Sequence, residues 1–159
     1  MIQSIHHVSF TIKEMDRSIA FYRHLGFQVA SDRRQLTADY LKDITGYAEA
    51  EMHVAYLNGF NVQLELIQYV APAGIDLDKT NYHVGSAHIC FITDDIHAEY
   101  ERLKQAGVRF RTAPIAIREG PNAGKGAVYF YDPDGYTLEL AAVWKQSDSS
   151  KTEKGDGHG

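Results

Sequence analysis

Residues 5 to 12 alternate. Ile5, His7, Ser9 and Thr11 share one side of an extended segment, and His6, Val8, Phe10 and Ile12 share the other, the period of a strand with one apolar face. The period then lengthens. Met15, Ile19 and Tyr22 fall at i, i+4 and i+7, which predicts an amphipathic helix closed by Gly26 just before Phe27. The same plan returns from residue 87. His88, Cys90 and Ile92 oppose Ala87, Ile89 and Phe91, and Ile96, Tyr100 and Leu103 repeat the helical spacing. Asp94 is the expected N-cap there and Gly107 the expected stop. His7 precedes Gly26 by 19 residues, and His88 precedes Gly107 by 19. That match selects His7 rather than His6 as the counterpart of His88, and leaves His6 as a packing residue on the helix side.

Each half continues in strands. Segments 51–57 and 61–70 are joined by a turn expected at Asn58-Gly59. Segments 126–131 and 136–144 are joined by "DPDG", whose Pro and Gly suit a type I turn. Weaker strands are expected near 28–31 and 109–111, and a short helix near 38–45. The predicted organisation is a first βαβββ module over 1–70, a linker over 71–86, a second module over 87–144 and a disordered tail over 145–159. The tail has no aliphatic or aromatic residue to offset its ordering entropy, and His158 within it is discounted as a ligand.

The last long strand of each half carries Leu-Glu-Leu, at 64–66 and 138–140. A carboxylate between two leucines on a strand points away from the leucine face. For a single Glu that is ordinary solvation of a half-exposed sheet. Here each half supplies one His from its first strand and one Glu from its last. Two neutral imidazoles and two carboxylates suit a divalent zinc, nickel, cobalt, manganese or iron ion.

Composition narrows the partners. The chain has 159 residues, a net charge of −5 and no basic run, so nucleic acid is not an expected partner. No apolar stretch reaches the ~20 residues of a membrane helix, and no signal peptide is evident. The single Cys90 allows no internal disulfide and suits a soluble protein of the reducing cytoplasm.

The segments "HHVSFTIKEMDRSIAFYRHLGF", "AHICFITDD" and "YFYDPDGYTLEL" resemble the vicinal oxygen chelate superfamily, which includes glyoxalase I, methylmalonyl-CoA epimerase, extradiol dioxygenases and the fosfomycin- and bleomycin-resistance proteins. The resemblance covers roughly residues 2–144. It implies an α+β fold in which two βαβββ modules form a cupped mixed sheet around a metal, helices outside, within one chain or across a homodimer. It implies His7, Glu65, His88 and Glu139 as ligands, a small-molecule substrate, and a glyoxalase-I-like lyase or isomerase working through a metal-stabilised enolate. Glu139 is the first candidate for the base and Glu65 the second.

Thr11 stands where short bacterial glyoxalase I carries a basic residue, which argues against a glutathione adduct. Glu65 and "DPDG" argue against methylmalonyl-CoA epimerase. An Fe(II) extradiol dioxygenase would need only His7, His88 and Glu139. A resistance-type binding protein would use the cup without metal. Gln63 shares a face with Glu65. Tyr40, Leu41 and Ile44 would wall the cup or fill core. His53, His83, Tyr129 and Tyr131 are spare acid–base groups or structural residues. Loop 113–127, with Arg118 and Lys125, is either a lid presenting a cation to a substrate carboxylate or a plain surface loop.

Overall fold

The computed structural model describes residues 1–145. The disorder expected of the tail falls almost wholly outside them, as does His158. The chain divides into two compact units. One comprises Met1–Lys79 with Asp132–Gly135; the other begins at Thr80 and contains the remaining described residues.

The first unit contains β1 (Val8–Thr11), α1 (Met15–Leu25), β2 (Gln28–Leu36), α2 (Asp39–Thr45), β3 (Glu51–Gly59) and β4 (Val62–Ala71). Its sheet has the order β1-β4-β3-β2, with β1 parallel to β4 and the other pairs antiparallel. Phe10, Met15, Tyr22, Phe27, Leu57, Leu64 and Leu66 are buried, so the leucines flanking Glu65 face the core as their alternation requires. The Glu14 carboxylate caps α1 by accepting from the Asp16 and Arg17 amides. Gly26 ends the helix at φ 112°, a left-handed conformation that glycine takes without a Cβ penalty.

The second unit contains β5 (Ile89–Ile92), α3 (Ile96–Gln105), β6 (Arg109–Phe110), β7 (Ile115–Ala116), β8 (Lys125–Tyr131) and β9 (Thr137–Val143). Its sheet follows the same plan, β5-β9-β8-β6, with β7 also paired to β8. The parallel pair is again first strand with last. Ile96, Leu103, Phe130, Leu138 and Leu140 form its buried side.

The fold class is therefore the expected one, two βαβββ modules with mixed sheets. Three local expectations are corrected. The N-cap of α3 is Asp95, not Asp94; its Oδ1 accepts from the His97 and Ala98 amides at 3.0 Å. The β3–β4 turn lies at Phe60-Asn61, because Gly59 pairs with Val62, and Phe60 takes φ 56°. Gly59 is instead required by close approach: a Cβ there would lie 2.5 Å from the Phe27 ring. Finally, β1 begins only at Val8, so strand alternation does not govern the histidine doublet. His6 is exposed rather than packed against the helix, and its Nδ1 lies 2.8 Å from Nδ1 of His7.

The "DPDG" turn forms as expected, with the Gly135 amide donating to the Asp132 carbonyl at 3.1 Å. Its two carboxylates are held within the first unit. Tyr22 donates to Asp132 at 3.1 Å, and Arg17 pairs with Asp134 at 2.6 Å. Among the described residues no helix is long and apolar enough to cross a membrane.

Candidate functional site

Each unit brings its predicted His and Glu together. In the first, His7 Nε2 lies 3.2 Å from Glu65 Oε2. In the second, His88 Nε2 lies 3.1 Å from Glu139 Oε2. Each histidine directly precedes the first strand of its unit, and that strand runs parallel beside the glutamate strand. The parallel pairing thus sets both distances.

Register extends each pair into a row across the sheet. Ser9 pairs with Glu65, Glu65 with Tyr56, and Tyr56 with Ser31. In the second unit Cys90 pairs with Glu139 and Glu139 with Tyr129. The Arg111 amide donates to the Tyr129 carbonyl at 2.9 Å, continuing the β6–β8 ladder and completing the row. Residues opposed in a ladder project to the same face.

The tyrosines are the residues sequence reasoning undervalued. The Tyr56 hydroxyl donates to Glu65 Oε1 in a short hydrogen bond. Desolvation and this carboxylate push the phenol up to about 12, so at neutral pH it remains a donor. Glu65 is thus engaged at both oxygens. The Tyr129 phenol is also raised, by desolvation and then by Glu139, and its ring lies 5.5 Å from that of His88, edge to face. The Cys90 thiol is pushed up to about 11 by partial burial and by Glu139, which keeps it protonated.

Beside Glu65 the centre of the same face is mostly apolar, with Thr11 and Arg33 at the ends of the next row. Val54 opposes Ile67 and Met52 opposes Tyr69, and Leu41 of α2 packs with Met52 and Val54. Of the three α2 residues considered for a wall, Leu41 is buried, while Tyr40 and Ile44 are exposed. Gln63 turns to Asn58 at 2.8 Å. His53 is structural: its Nδ1 accepts the Gln35 amide at 2.9 Å.

The donor chemistry fits a divalent ion. Two ligand atoms each about 2.1 Å from one ion stand roughly 3.0–3.4 Å apart at octahedral or tetrahedral angles, and both His–Glu distances fall in that range. Among the described residues no three His, Cys, Asp or Glu side chains are grouped to hold a metal.

The model of the Glyoxalase/Bleomycin resistance protein/Dioxygenase superfamily matches residues 4–140. The chain belongs to this superfamily. It is 33% identical over 143 residues to a 2-epi-5-epi-valiolone epimerase of Actinomyces sp., covering 86% of this chain and 78% of the epimerase. It is 27% identical over 142 residues to the metallothiol transferase FosB of Shouchella clausii, covering 88% and 80%. A glyoxalase family protein of Bacillus cereus superposes with a TM-score of 0.78 at 17% identity, covering 91% of this chain and 97% of that one. At that identity the structural match shows the fold.

Proposed function

We propose that this superfamily member is a divalent-metal-dependent isomerase or lyase of the glyoxalase-I-like type, acting on a small oxygenated metabolite through an enolate. One observation carries the reading: the same His–Glu pair recurs in both units at 3.2 and 3.1 Å. The similarity to an epimerase, an isomerase by name, supports the isomerase side. His7, Glu65, His88 and Glu139 together would hold one nickel, cobalt, manganese, zinc or iron ion, with the halves meeting within one chain or across a homodimer. When bound, such an ion lowers the cost of oxyanion charge on a chelated substrate.

Glu139 is the residue proposed to move the carbon-bound proton. Glu65 is held at one oxygen by Tyr56 and at the other by His7, which suits a fixed ligand. Glu139 meets His88 at one oxygen and a weakly donating thiol beside it, and is freer to accept a proton. Tyr56 orients Glu65, while the Val54–Ile67 and Met52–Tyr69 pairs limit water near it.

Elemental analysis with oxygen-independent turnover of α-hydroxy or α-oxo carbonyl compounds tests the reading. Solvent deuterium entering the substrate carbon is the expected result. Iron with oxygen uptake on catechols would replace it with the dioxygenase. A protein that binds small molecules without metal would replace it with the resistance-type function.

A further inference from the structure

Arg111 lies in line with Glu139, on the site face of the second unit, and carries an uncompensated charge. Its Nε donates to the Tyr131 hydroxyl at 2.7 Å and its Nη1 to Asn81 Oδ1 at 2.7 Å. Its guanidinium carbon stands 5.9 Å from the Tyr129 ring centre and 5.6 Å from that of Tyr131. Both hydrogen-bond partners are neutral. Arg17, Arg34 and Arg102, by contrast, each pair with a carboxylate. Among the described residues no carboxylate pairs with Arg111.

Two neutral acceptors and two aromatic rings therefore hold this side chain in place without neutralising it. Much of the entropy of immobilising a long cation is already lost before a ligand arrives. Glu139 and Arg111 lie two strand spacings apart, about 10 Å between backbones, a gap that a substrate with an anionic group a few bonds from its chelating oxygens would span. In the first unit Ser31 occupies the corresponding place beside Tyr56, short and neutral. The two half-sites thus share a His, a Glu and a Tyr and differ at this register place; on the first unit's face the cation is Arg33, opposite Val54 rather than beside Tyr56.

We propose that Arg111 is the anion-docking residue of the site. The substrate would then carry a carboxylate or phosphate group a few bonds from its chelating oxygens. Arg111 binds that group through its guanidinium, next to the Glu139 half-site. This deepens the metal-dependent reading above and rests on it.

The test is calorimetric titration of Co²⁺-loaded protein with three hydroxamates. Butyrohydroxamate is a neutral two-oxygen chelator, succinic acid monohydroxamate adds a carboxylate, and phosphonoacetohydroxamate adds a phosphonate. At least one charged probe should bind about tenfold tighter than the neutral one, as a charge-assisted contact gives. Arg111→Met should erase that preference while leaving butyrohydroxamate affinity unchanged, and Arg111→Lys should keep part of it. Equal binding of all three probes, or a preference that survives Arg111→Met, would overturn the assignment. So would loss of the preference in Arg118→Met instead, which would move the docking cation to the loop. Failure of metal-loaded protein to bind butyrohydroxamate would remove the metal reading and this inference together. Neutral binding without a charged-probe preference would remove only the role of Arg111.

Discussion

The rows Ser9–Glu65–Tyr56–Ser31 and Cys90–Glu139–Tyr129–Arg111 hold matching places in the two sheets. Their centres agree and their ends differ. In the first row the tyrosine donates to the glutamate, so Glu65 is fixed at both oxygens. In the second, Arg111 stands beside Tyr129, with its Nε hydrogen-bonded to Tyr131 and its Nη1 to Asn81. The contrast teaches that a repeat can keep its His–Glu–Tyr pattern while its surroundings diverge. Under the proposed reading, the first half would hold an ion and the second would keep a freer carboxylate and a cation for the substrate.

The largest expected difference between the rows is in turnover. Glu139→Gln should lower kcat by about 10²–10⁴-fold at saturating metal, the scale of losing a general base, beyond whatever metal affinity it loses. Glu65→Gln should act mainly on metal content. Equal loss of kcat in both at full metal occupancy would erase the division of labour.

A smaller effect is expected at the tyrosines. Tyr56→Phe removes the donor to Glu65 and, if Glu65 is a ligand as proposed, should weaken metal binding by about 10–100-fold. Tyr129→Phe should weaken it by less, because among the described residues Tyr129 makes no hydrogen bond to Glu139. Competition with a chromophoric chelator reads both.

The cores offer a comparison in stability. A Cβ at Gly59 would lie 2.5 Å from Phe27, and one at Gly126 would lie 2.5 Å from Trp144. Gly59→Ala and Gly126→Ala should each cost about 1–3 kcal/mol in urea unfolding, the usual range for overpacking. His6→Ala should stay within about 0.5 kcal/mol, as an exposed substitution does.

The smallest effect concerns alkaline pH. Tyr56 and Cys90 titrate at about 12 and about 11 in the fold, above their ordinary values of 10.0 and 9.0. Between those limits the folded state holds protons that the unfolded chain has released, so these groups make stability fall as pH rises from about 9 to about 12. Cys90 should react slowly with iodoacetamide at pH 8, and Glu139→Gln should speed that reaction by removing the neighbouring charge.

The repeat was legible in the sequence because period and spacing carry it. The 19-residue match and the two Leu-Glu-Leu strands identified the His and Glu of each pair. Register was not legible. A turn at Asn58-Gly59 would set Met52 opposite Glu65, whereas the observed turn at Phe60-Asn61 sets Tyr56 there. The rule that favours Asn-Gly was overridden by the packing of Phe27 against Gly59. Arg111 escaped notice for the same reason: its place beside Tyr129 depends on the short β6 ladder rather than on local pattern. His6 was misjudged because alternation was extended beyond the strand that justifies it.

The central claim is that one ion is shared by both halves. Elemental analysis of the wild type beside His7→Ala and His88→Ala tests it most directly. The account predicts about one divalent ion per chain, lost by more than about 100-fold in affinity in either variant, beyond the 10–100-fold of an outer-partner loss. Two ions per chain, with each variant losing only one, would show two independent sites and contradict it.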